Sequence, residues 1–135
     1  METDVTKKPT EYSSLALAYL GDAVYELFVR QHLLAKGNYS VNELHKAAVG
    51  YVQAKAQSDA IVALESELSE EELRIYKRGR NAKPATLPKN GNVGDYHRAT
   101  GFEALLGSLY LEGNTLRLKQ LAEKAIQILE QNKGL

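Results

Sequence analysis

The sequence contains no cysteine. That excludes disulfides, thiolate zinc sites, iron-sulfur clusters and a cysteine nucleophile, so any metal must sit on oxygen or imidazole. Tryptophan is absent too, and phenylalanine is limited to two residues. The eight tyrosines lack the paired spacing of a single-strand stacking platform and read mostly as core or interface. No apolar run approaches the ~20 residues that span a bilayer. The stretch from Met1 to Lys8 lacks the apolar core of a secretory signal, so a cytoplasmic location is expected. Net charge is missing as well: 17 Lys and Arg balance 17 Asp and Glu, which argues against a general polyanion binder.

What remains is an ordinary globular composition. With 135 residues, 44% hydrophobic and 25% charged, the chain reads as one domain over 1–135 with a core of its own. Helical period dominates and no strand-like alternation competes, so the expected class is all-α with five to seven helices. Tyr12 to Ala35 forms the first, stopped by Gly37-Asn38. Ser40-Val41-Asn42-Glu43 is a capping box, opening a helix that runs, with or without a break, towards Leu68. Ser69-Glu70-Glu71-Glu72 repeats the box and starts a short helix to about Lys77. Between Gly79 and Gly94 the period fails around Pro84, Pro88 and Gly91, which marks a long loop. Asp95 is expected to cap the next helix, which Gly113-Asn114 ends, and an amphipathic helix covers Thr115 to about Asn132.

Zero net charge conceals an asymmetry. From Arg74 to Arg98 seven basic residues face one acid, Asp95. The local positive field would attract phosphates and weaken with salt, although a merely solvated loop has the same composition. Two carboxylates stand out on apolar helices. Asp22, between Tyr19-Leu20-Gly21 and Ala23-Val24-Tyr25, is a poor mid-helix residue, and the adjacent Gly21 costs a helix about 1 kcal/mol relative to Ala. Glu103 lies in Phe102-Glu103-Ala104-Leu105-Leu106-Gly107. A carboxylate near a core must be paired, hydrogen-bonded or bound to a cation. Two from different helices suit a hard divalent ion such as Mg²⁺. The other reading pairs Asp22 with a Lys or Arg, or lets it cap a bend at Gly21.

Here the residues carry a resemblance. Leu15-Ala16-Leu17-Ala18-Tyr19-Leu20-Gly21-Asp22-Ala23-Val24 resembles the signature of the ribonuclease III family. Ala99-Thr100-Gly101-Phe102-Glu103-Ala104-Leu105-Leu106-Gly107-Ser108-Leu109-Tyr110-Leu111 resembles that family's second motif, in the same order and at a similar separation. Lys77-Arg78-Gly79-Arg80-Asn81-Ala82-Lys83 is similar to the basic segment of its Mini-ribonuclease III subgroup, which consists of the catalytic domain without a separate double-stranded-RNA-binding domain. The chain, ending at Leu135, is expected to follow that plan.

The resemblance implies a Mg²⁺-dependent endonuclease, with Mn²⁺ as a substitute, that cuts double-stranded RNA to 5′-phosphate and 3′-hydroxyl ends. Asp22 and Glu103 match two of the family's four acidic positions and are the implied catalytic and metal-binding residues. The other two positions hold Ala18 and Thr100, which halves the site's negative charge. The Thr100 hydroxyl remains available to a metal-bound water. Glu26, one turn beyond Asp22, matches no family acidic position and is at most an outer group. Lys77, Arg78, Arg80, Lys83, Lys89 and Arg98 are the RNA-contact candidates, since duplex RNA is read through phosphates and 2′-hydroxyls; His97 beside Arg98 has no assigned role. The resemblance further implies a homodimer, with Tyr19 and Leu20 as interface candidates, and a task in maturing the large-subunit (23S) ribosomal RNA precursor, with a ribosomal protein as a possible helper. The losses at Ala18 and Thr100 keep open a second expectation, a catalytically inactive duplex-RNA-binding homodimer. A helical protein-protein adaptor is a third.

Overall fold

The computed structural model describes residues 7–133. Six α-helices follow one another: α1 (Ser14–Lys36), α2 (Val41–Val52), α3 (Ala54–Leu64), α4 (Glu70–Arg80), α5 (Val93–Glu112) and α6 (Thr115–Asn132). Single 3₁₀ turns precede α1 at Pro9–Glu11 and follow α3 at Glu65–Glu67, and no strand occurs among the described residues. The all-α expectation holds.

Local chemistry sets the boundaries. Ser13 caps α1 by accepting from the Ala16 amide at 3.1 Å, and both predicted capping boxes, at Ser40 and Ser69, form in full. One open alternative is resolved and one expectation needs correction. The segment from Val41 to Leu68 breaks at Gln53, whose extended backbone (φ −64°, ψ 155°) ends α2 and begins α3. The cap of α5 is Asn92 rather than Asp95: the Asn92 side chain accepts from the Asp95 amide at 3.0 Å, placing Asp95 inside the first turn. Asn satisfies a free helix-start amide as well as Asp does.

Helix α5 is the axis of the molecule. Its residues Phe102, Ala104, Leu105 and Leu106 are fully buried, and α1, α3, α4 and α6 all pack against it. A helix apolar around its circumference is stable only when surrounded in this way. Tyr25 of α1 meets Phe102 edge-on at 5.2 Å, and Ile61, Leu64, Tyr76, Leu121 and Ala125 complete the core. Polar ties close the rim. Glu72 of α4 accepts from Arg117 of α6 at 2.8 Å. Glu130 of α6 receives His32 at 2.6 Å, Lys36 at 2.5 Å and the Tyr51 hydroxyl at 2.8 Å.

Candidate active site

Two glycines decide where α1 crosses α5. A Cβ on Gly21 would sit 1.7 Å from the Glu103 carbonyl oxygen, and one on Gly107 would sit 2.0 Å from the Leu17 carbonyl oxygen. The helices are therefore in backbone contact, which only residues without a side chain permit. This explains the costly Gly21: it seats Asp22 directly beside Glu103. Helix α1 runs through Gly21 without interruption.

Positions 18 and 22 share a face of α1, and 100 and 103 share a face of α5, as four- and three-residue spacings require. All four line one open cleft of about 310 Å³, together with Leu15, Tyr19, Pro84 and Tyr96. Ala18 is a buried apolar wall. Thr100 is buried and its hydroxyl donates to the Tyr96 carbonyl at 3.0 Å, leaving its lone pairs free to accept.

Glu103 is half-buried, whereas Asp22 is exposed at the rim, a correction to its expected place near the core. Among the described residues neither carboxylate forms an ion pair, which removes the Lys or Arg partner considered for Asp22. The result is electrostatic stress. Burial first, and the facing Asp22 carboxylate second, push Glu103 up from 4.5 to about 8, against a hydrogen bond from Gln57 that favours the charged form.

Gln57 escaped the sequence reading. Its side chain is buried, and its Nε2 donates both to the Val52 carbonyl at 2.8 Å and to Glu103 Oε2 at 3.2 Å. A signal existed, because Gln57 occupies the stripe that Ala60, Ile61 and Leu64 turn into the core. An amide on such a stripe needs partners.

Two unneutralised carboxylates facing each other at an open cleft form a hard-oxygen donor set suited to a divalent cation such as Mg²⁺ or Mn²⁺. Among the described residues no group of three or more His, Asp or Glu is placed to hold a metal. This pair would thus leave most coordination positions to water and substrate oxygen.

The basic candidates separate. Lys77, Arg78, Lys83 and Lys89 are exposed, and among the described residues they and Arg80 form no ion pair. Arg80 lies over the Tyr76 ring, 5.6 Å from its centre. Arg98 is partly exposed, and donates to Ser58 at 2.6 Å and pairs with Asp95 at 3.2 Å. Pro84 brings the loop between α4 and α5 to the edge of the cleft. Glu26 pairs with Arg30 at 2.9 Å and His97 packs on Tyr96, and neither lines the cleft.

Known proteins agree with this geometry. Residues 15–114 match the ribonuclease III domain family. The chain is 48% identical over 127 residues to a Mini-ribonuclease 3 of Brevibacillus brevis, covering 94% of this chain and 95% of that one. It is 50% identical over 119 residues to a Mini-ribonuclease 3 of Thermoanaerobacter, covering 88% and 84%. A crystal structure of a Fusobacterium nucleatum protein superimposes with a TM-score of 0.81 at 35% identity, over 90% of this chain and 98% of the other. The two motifs, their meeting at one cleft and these relatives together place the chain in the ribonuclease III family, on its Mini-ribonuclease III branch, as an endoribonuclease.

Proposed function

We infer that the chain is a Mg²⁺-dependent, homodimeric endonuclease that cuts double-stranded RNA to 5′-phosphate and 3′-hydroxyl ends, in the cytoplasm, during maturation of the 23S ribosomal RNA precursor. One observation carries the chemistry: Asp22 and Glu103 meet across the α1–α5 crossing with no basic side chain between them. Their oxygens would hold the ion. When bound, a divalent cation of this kind neutralises phosphate charge and makes a water more acidic. The Thr100 hydroxyl is placed to accept from a water in the cleft, and Ala18 keeps that wall apolar. Lys77, Arg78, Lys83 and Lys89 are exposed and, among the described residues, without an ion pair, and would attract a phosphate backbone without base recognition.

The dimer is supported by exposed apolar side chains on α1 beside the cleft, Leu15 and Tyr19, Tyr19 by 85%. Leu20, the other expected interface residue, packs instead against the core of its own chain. A second copy covering these two residues would stand beside the cleft, since both line it.

The deciding experiment incubates the chain with duplex RNA and Mg²⁺ beside Asp22→Asn and Glu103→Gln. Products from the wild type alone, losing at least ~100-fold in each variant, support the reading. Retention of RNA without products would make the chain a binding protein, and equal cleavage by all three would move the chemistry elsewhere.

A further inference from the structure

We propose that Gln57 is a positioning residue for the cation site: its amide clamps the Glu103 carboxylate from behind, holding one oxygen so that the other is presented to the ion. The inference rests on Asp22 and Glu103 being the cation-holding pair. Nε2 bridges the Val52 carbonyl, at the last residue of α2, to Glu103 Oε2 on α5, so both amide hydrogens are committed. Gln57 holds Oε2, so Oε1 is the oxygen left for a cation, with the Asp22 carboxyl close enough to share a hydrogen bond with Glu103. The anchor is rigid: Gln57 is 2% exposed, and its carbonyl atom is buried without a partner.

That orphaned atom argues for function. The amide serves two acceptors on different elements while its own oxygen stays unsatisfied; an apolar side chain would avoid that orphaned oxygen but leave the Val52 carbonyl and Glu103 Oε2 without their donor. Amides or carboxylates behind a ligand commonly set its orientation and affinity. A capping role for the Val52 carbonyl, by contrast, involves only one of the two hydrogen bonds.

The test is Mn²⁺ binding followed by electron paramagnetic resonance on wild type, Asp22→Asn and Gln57→Met, with thermal unfolding of each. Gln57→Met is expected to fold with a Tm lower by a few degrees, having lost two hydrogen bonds, to bind Mn²⁺ about 10-fold more weakly, and to recover kcat when the ion is saturating. Wild-type affinity in Gln57→Met would overturn the inference while leaving the site intact. Binding untouched by Asp22→Asn would overturn the site reading and this inference together. Should Gln57→Met fail to fold, the side-chain amide resonance of Gln57 in the wild-type protein decides. Movement on adding Mg²⁺, absent in Asp22→Asn, supports the clamp, and an unmoved signal rejects it.

Discussion

Glu103 concentrates the chemistry of the protein in one proton. Without a cation its carboxyl stays protonated to about pH 8 because burial, then Asp22, disfavours the charge. The unfolded chain releases the same proton near 4.5. Between those values the folded state binds more protons than the unfolded, so stability falls as pH rises across the window and levels off above it. Metal-free wild type should therefore lose on the order of 3 kcal/mol between pH 5 and 8.5 relative to Glu103→Gln, read by denaturant unfolding in a chelator. Parallel profiles for the two proteins would contradict the assignment. Cation binding displaces that proton, so Mg²⁺ should restore stability most strongly near pH 8. At this scale the sequence was legible for Glu103, because a carboxylate on an apolar helix demands compensation, whereas Asp22 is exposed and stood out through its place beside Gly21. Gln57 was not read, because an uncharged amide raises a weaker alarm.

Among the elements, the α1–α5 crossing matters most. Its closeness depends on Gly21 and Gly107, each of which has a main-chain oxygen at 2.0 Å or less from where a Cβ would be. Backbone cannot move aside as a flexible side chain can. Gly21→Ala should destabilise by ~3 kcal/mol or more, lower Tm by about 10 °C, and abolish cleavage by carrying Asp22 away from Glu103. Gly50→Ala is the control, since a Cβ there meets only the flexible end of Lys133, and its stability should change by less than ~1 kcal/mol. A Gly21→Ala enzyme with wild-type Tm would show that the helices do not need this contact. The periods and capping boxes of the helices were readable from local sequence. The break at Gln53 was less so, because it lies inside one continuous apolar pattern and only the packing of α2 and α3 decides where the chain turns.

Over the whole molecule, neutral net charge conceals a polar distribution. The carboxylate pair sits at a cleft whose edge carries the loop at Pro84, and the unpaired bases of the positive segment lie on α4 and on that loop. Replacing Lys77, Arg78 and Arg80 together by Ala should reduce the slope of log affinity against log salt by up to ~3 on duplex RNA. The Arg80 share should be the smallest, as its guanidinium already lies over Tyr76. An unchanged slope would remove this surface from RNA contact. The contacts of Arg98 with Ser58 and Asp95 are a fact that no charge count reveals.

Short-range rules therefore settled which segments are helical, where most of them start and stop, and which two carboxylates are out of place, since capping, periodicity and backbone propensity act within a few residues. The tertiary structure alone decided that Asp22 and Glu103 face each other, that Gln57 stands behind one of them, and that Arg98 meets Ser58 and Asp95. Those outcomes depend on how helix surfaces fit together, and on the burial and fields that fit creates, which no run of neighbouring residues encodes by itself.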